Sequence, residues 1–461
     1  MEPVVKALVK KELLQLLRGR QLLLFFLAQV VLAVASFTLA AKEWRSETAS
    51  AQMLLETNRQ RLATLTDWSQ VGSTGIFVPP PVPAGRFLVS LRPWPAFWVI
   101  VPGLPMPVGV WQGQRTVSPV QVLLLFYSLF AMLLSFDSVG GEKAQRTLGF
   151  LLAVVGSRRV LLHVKFLVRG AAVVSSTAVS LGLAALGSWF VVPEFVEDPS
   201  FVRVFPAMVL SLTFFSLVFV ALGFAVSCFF PDPLTSLLAG VGGWVVLTIL
   251  LPGMGQGVAR TFFPPPSRSL FDAQTAALVT HYQQREEEAR LPALRRWLRE
   301  GPALQRWFEE EANRIRREQH TALQRELLEL LAAFLRKEER TARAELWATG
   351  MLPGGLVMQG VTVVAAADEQ SFLRYLHSVT EYAGILGQEV EKRMGALRYV
   401  FPEEEDPYAH SRPKLEEIPA FTFSLPKASW PAALPRLFGV ILWTLVMYFL
   451  ALVALHRLDP R

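Results

Sequence analysis

The residues of this chain best suited to making specific contacts cluster between positions 142 and 165: Glu142, Lys143, Arg146, Thr147, Leu148, Leu151, Leu152, Arg158 and Lys165. Two chemistries mix there. Lys143, Arg146, Arg158, Arg159, Lys165 and Arg169 supply cations against Glu142, and side chains of this kind bind carboxylates or phosphates. Thr147, Leu148, Leu151, Leu152 and Val155 recur at three- and four-residue spacing, which lays an apolar stripe along one side of a short helix. Glu142 stands ahead of that helix, where the dipole favours a carboxylate, and Gly156 is placed to stop it. Taken alone, these residues describe a helix lying along a membrane face with its cations reaching lipid phosphates.

Groups for covalent, redox or metal chemistry are scattered. The one cysteine, Cys228, sits in an apolar run, so neither a disulfide nor a CxxC pair can form within one chain. The histidines at 163, 281, 320, 377, 410 and 456 include no HExxH and no i,i+4 pair, which leaves no metal-ligand spacing. There is no GxxxxGK(S/T) phosphate loop, so the chain cannot cradle nucleotide phosphates by that route, and no GxSxG elbow for a hydrolase. The sequence reads as non-catalytic.

The elements that must position the cluster are membrane spans. The chain has 461 residues, 52% of them hydrophobic and only 18% charged, against about 25% charged in soluble domains. Its formal charge of +7 reflects basic anchoring loops, and no aromatic-basic platform points to nucleic acid. Residues 1–20 form a basic amphipathic helix suited to the interface, with Val5, Leu8, Leu13 and Leu16 opposed to Lys6, Lys10, Lys11 and Arg18. The uncharged run that follows is longer than the apolar core of a signal peptide and is expected to be an uncleaved first span. Spans are expected at 21–41, 120–136, 170–192, 204–230, 234–252 and 437–455, each near the length a bilayer requires. The loop 137–169 is basic and therefore cytoplasmic, as are both termini. Apart from Asp137 at the end of the second, the spans hold no Asp, Glu, Lys, Arg or His, which disfavours ion-coupled transport.

Two segments remain for the outer side. Residues 42–119 begin as a helix to about Leu65 and then become rich in Pro and Trp, which suits a segment hugging the membrane boundary. Residues 253–436 are expected to be a mostly helical domain with its own core. In it a helix from about Pro302 to Thr349 carries an apolar face through Trp307, Phe308, Ile315, Leu323, Leu327, Leu331 and Phe334, and another runs from about Asp368 to Leu397. An acidic, Pro-rich strap at 402–419 leads back to the last span. The fold class is thus an all-α membrane protein: six transmembrane helices, an N-terminal interfacial helix and a mostly helical extracytoplasmic domain.

The order Glu142-Lys143, Arg146-Thr147-Leu148, Leu151-Leu152, Ser157-Arg158 and Lys165, preceded by Lys11-Glu-Leu-Leu-Gln-Leu-Leu-Arg-Gly-Arg20, resembles the ABC type-2 permease family. Arg146 stands where that family usually has glycine. Pro264-Pro-Pro-Ser-Arg268, Phe421-Thr-Phe423 and the closing His456 to Arg461 resemble a subfamily with a large extracytoplasmic insert before the last span. A broader similarity is to the permease associated with multicopper enzyme maturation, although no copper-ligand cluster is visible. The resemblance implies a permease subunit of an ATP-driven exporter in a bacterial inner membrane. It makes 137–169 a coupling loop, with the residues from Glu142 to Lys165 named above contacting a separate cytoplasmic ABC ATPase that holds ATP and Mg. This chain would hold no cofactor. Further implied partners are a second permease protomer, alike or paralogous, membrane lipid, and an extracytoplasmic protein, with no nucleic acid. The competing reading is a mechanotransmitting or sensory membrane protein whose outer domain works on a partner without moving substrate.

Overall fold

The computed structural model describes residues 2–65, 68, 71, 75–89, 96–100, 104–108, 118–301, 304–396, 413–425 and 429–457. Helix α1 (Glu2–Arg18) ends at Gly19, and α2 (Arg20–Ala63) follows directly. Then come β1 (Ile76–Val78), α3 (Ala84–Val89), β2 (Ala96–Ile100) and β3 (Leu104–Val108). The rest is helical: α4 (Pro119–Leu133), α5 (Gly140–Ala144), α6 (Leu148–Val155), α7 (Arg158–Val191), α8 (Pro193–Glu197), α9 (Pro199–Phe229), α10 (Pro233–Phe262), α11 (Arg268–Glu300), α12 (Gln305–Gly350), α13 (Pro353–Val364), α14 (Glu369–Ala396) and α15 (Trp430–Arg457). Among the described residues α2, α7, α9, α10 and α15 are long and apolar enough to cross a membrane.

The centre of the bundle is α9, with Phe215, Phe219 and Phe224 fully buried against α4, α7, α10 and α15. Gly223 lets α4 come close, since a β-carbon there would lie 2.7 Å from Ser135 Cβ. Two polar pairs join helices inside the bundle: Tyr127 and Ser180 share a 2.7 Å hydrogen bond, and Trp244 Nε1 donates to Ser128 Oγ at 2.9 Å. In hydrocarbon such groups have no water to turn to, so these bonds fix how α4 sits between α7 and α10.

Several boundaries differ from the sequence expectations, for physical reasons. The first span does not stop at 41, because α2 continues to Ala63 on helix-favouring Ala, Glu, Gln and Leu. The segment expected as a span at 120–136 is a helix of 15 residues, α4, short of the roughly 20 a span requires. The third span begins at Arg158 rather than 170, so Lys165 and Arg169 belong to α7 and not to a loop. Ser157 caps its start by accepting from Val160 N–H at 3.5 Å. The fourth begins at Pro199, with Asp198 as its cap. The fifth passes through Pro252 to Phe262. Proline at that position cannot donate to Thr248, and the wider π turn at Val246–Leu250 absorbs the mismatch. The last span starts early, at Trp430.

The outer segments are not two separate parts. Strands β1, β2 and β3 form an antiparallel sheet with Phe77 opposite Trp98, the one sheet among the described residues. Leu62, Trp68, Val71, Ile76, Val78, Phe97 and Val99 from the first segment share one core with Phe372, Tyr375, Val379 and Leu386 of α14. Tyr382 Oη also donates to the Pro419 carbonyl at 2.8 Å, tying residues 413–425 to the same unit. Helix α13, hidden to periodicity between Gly350 and Asp368, buries Val357, Val361 and Val364 in the membrane bundle against α9 and α15. Residues 253–436 are therefore not an independent domain. Only α11 and α12 form a hairpin of their own, with a thin core of Tyr282, Leu323 and Leu327. At about 1.5 Å per residue the 46 residues of α12 make it a projecting rod. Pro302 of the expected helix start and 402–412 of the strap lie outside the described residues.

A fragment spanning 267–423 is accordingly expected to keep the hairpin's helical circular dichroism but to aggregate or self-associate. It exposes α13 and the sheet-facing side of α14. A monodisperse, cooperatively melting monomer would overturn the shared core.

Candidate functional site: the loop between α4 and α7

The cluster picked out from sequence lies on α5, α6 and the first turns of α7. Chain geometry sets it up: Arg146 adopts φ +57°, one of two non-glycine residues in the left-handed region among those described. This is the position where the resembling family usually has glycine, and a left-handed backbone is what glycine tolerates best. The bend lets Thr147 N–H return to the Glu142 carbonyl at 2.9 Å and start α6 in a new direction. Gly156, at φ +72°, closes α6 with its N–H on the Leu152 carbonyl at 2.9 Å.

Helix α5 is fastened on two sides. Toward α9, Ser227 Oγ accepts from the N–H groups of Val139 and Gly140, each at 2.9 Å. Lys143 Nζ donates to the carbonyls of Ser227, Cys228 and Phe230 at 3.0, 2.7 and 2.9 Å. A cation thus neutralises the orphan carbonyls at the end of α9, and burial holds its ammonium below the ordinary lysine value.

Toward α7 and α1 the fastening is ionic. Lys165 Nζ, with the side chain 1% exposed, lies 2.8 Å from Glu12 Oε1 of α1 and 2.8 Å from Glu142 Oε1 of α5. Lys11 Nζ adds a third contact to Glu142 at 3.1 Å. One turn deeper, Arg169 pairs with Asp137 at 2.9 Å and also donates to the Leu134 carbonyl at the end of α4. Arg158 donates to the His456 carbonyl at 3.3 Å, joining the start of α7 to the end of α15. Two acids and two cations balance in the central knot, as burial of charge requires. Helices α1, α5 and α7 are therefore locked to one another at a single point.

A family model described as ABC-2 family transporter protein matches residues 6–285. The chain belongs to the ABC-2 transporter family. That match takes in α1 to α10 and every residue of the site, and ends within α11. The probable ABC transporter permease protein NosY of Pseudomonas aeruginosa is 31% identical to this ABC-2 protein over 144 residues, 31% of this chain and 52% of that one. The chain thus spans about half the length of the curated relative it matches.

The ABC-2 loop divides the sequence-picked residues into two groups. Glu142, Leu148 and Lys165 are buried, and Lys143 and Arg158 make hydrogen bonds within the chain. They hold the loop in place. Leu151 and Leu152 are half-buried, while Arg146 and Thr147 are exposed. The large apolar residues that face outward are Phe150 and Val154, 72% and 52% exposed, one helical turn apart on the outer face of α6. Spacing could not reveal them, because α6 reads Leu-Gly-Phe-Leu-Leu-Ala-Val-Val and is apolar all round. Periodicity finds a stripe only where the opposite face is polar.

Proposed function

We propose that this ABC-2 protein is the membrane permease subunit of an ATP-driven exporter, and that a separate cytoplasmic ATPase, carrying the ATP and Mg, docks on α6. The observation that carries this reading is the exposed Phe150 and Val154 pair on a loop otherwise pinned by Lys143, Glu142 and Lys165. An apolar knob in water favours a partner groove, and a base tied to α1, α7 and α9 carries its displacement into the bundle rather than dissipating it. Six spans, with α4 as the short second one, return both termini to the side of α6. That side is cytoplasmic by its Lys and Arg content, in a bacterial inner membrane. A second protomer, identical or paralogous, completes the transporter. The insert between the fifth and sixth spans stands outside, where a protein partner can reach it. The chain itself holds no cofactor, performs no hydrolysis and binds no nucleic acid.

Orientation tests this directly. With Cys228 replaced by serine, a membrane-impermeant thiol reagent applied to intact cells is expected to label cysteines placed at Ser50 and Glu300, both exposed, and to spare those at Gln145 and Thr235. Labelling at 145 from outside would put α6 beyond the reach of any ATPase and overturn the assignment.

A further inference from the structure

Beside the ionic knot the structure holds a groove of about 860 Å³ between α1, the start of α2 and α7, lined by Val9, Leu13, Leu17, Leu23, Leu167 and Val179 among others. Its size falls in the range of about 300–1,000 Å³ usual for ligand sites. The two hydroxyls in its wall are already used: Ser175 Oγ donates to the Ala171 carbonyl at 2.8 Å and Ser176 Oγ to the Val173 carbonyl at 3.0 Å. The walls therefore ask for hydrocarbon and offer no polar group that would select a polar ligand.

The rim is different. Lys10 and Arg20 are exposed, and each stands three residues before a lining residue, Leu13 and Leu23, so helical spacing sets both cations beside the groove. Glu12 of the same helix is buried against Lys165. An apolar trough edged by Lys10 and Arg20 is complementary to a chain that ends in a phosphate. It lies on an amphipathic helix suited to the interface, at the depth where such molecules sit. A second copy of this chain is less well matched, since a groove edged by its own Lys10 and Arg20 would meet the same cations across a two-fold axis.

We propose that this groove is a binding site for an anionic phospholipid of the adjoining leaflet. One acyl chain lies along Val9, Leu13 and Leu17, and the phosphate is held by Lys10 and Arg20.

The test is native mass spectrometry of the purified, delipidated full chain titrated with phosphatidylglycerol or with phosphatidylcholine of the same acyl chains. Each cation near a lipid phosphate is worth about fivefold in affinity, so phosphatidylglycerol is expected to bind about 25-fold more tightly. The Lys10→Gln, Arg20→Gln variant is expected to bind the two lipids alike, whereas Lys42→Gln, at an exposed site far along α2, keeps the preference. Ser175→Trp, which fills the groove from an exposed position, is expected to lower binding of both lipids. Equal binding of the two lipids by the unaltered chain, or no effect of Ser175→Trp, would overturn the site. So would an efficient disulfide between copies of a Leu23→Cys, Cys228→Ser variant in membranes, which would place a second copy in the groove instead.

Discussion

Replacing Lys165 with methionine is expected to cost this protein about 3 kcal/mol of stability, the low end of the range for removing one partner of a buried ion pair. The figure follows from what is left behind. Glu12 is 1% exposed and has Lys165 as its nearest cation at 2.8 Å, so the variant leaves a buried carboxylate with only the longer 3.8 Å contact to Lys11. Glu142 fares better, because Lys11 stays 3.1 Å away and its side chain is 10% exposed. The loss should therefore be governed by Glu12. Adding Glu12→Gln to Lys165→Met should restore most of the stability, since a neutral pair carries little desolvation penalty. Thermal unfolding of the detergent-solubilised chain, followed by size exclusion, reads both variants. A Lys165→Met midpoint equal to that of the unaltered protein would show that the knot is not the clamp described here. The rescued double variant has a second use. If it is stable but no longer responds to an ATPase, the charges are needed for transmission and not only for folding.

That clamp was only partly legible in the sequence. Each member is visible as a charged residue near an expected membrane boundary, and the cations and Gly156 mark out the loop expected at 137–169. What periodicity and charge counting cannot supply is pairing across 153 residues, between Glu12 and Lys165. Charge was also treated as a sign that a span had ended, which placed the start of the third span at 170. In the structure α7 begins at Arg158, because Lys165 and Arg169 are neutralised by partners from other helices and the helix has no reason to stop. The same blindness to long-range packing hid α13. A short apolar run after Gly354 and Gly355 has no polar face to betray a helix, and its partners on α9 and α15 are remote in sequence. Spacing marks residues 253–436 as helical and leaves 42–119 as a separate boundary segment, because helices announce themselves by spacing. The sheet that completes their shared core has strands of only three to five residues, among prolines.

Charging the outer face of α6 is expected to separate docking from folding. Phe150→Glu with Val154→Glu adds two carboxylates where the side chains are 72% and 52% exposed, so neither is buried in the free protein and expression and thermal midpoint should stay within about 0.5 kcal/mol of the original. Against an ATPase groove the same carboxylates lose their water on binding. Removing two anchors and burying two unpaired charges costs several kcal/mol, enough to reduce association more than a hundredfold. Leu148→Glu makes the opposite comparison, because Leu148 is 7% exposed and packs in the main hydrophobic core. It should lower the melting midpoint and weaken association only through loss of folded protein. Co-purification of the ATPase with each full-length variant, beside its melting curve, distinguishes the two. If the Phe150 and Val154 variant retains its ATPase while Leu148→Glu loses it without loss of stability, the contact surface is the inner stripe of α6 and the loop must open to present it.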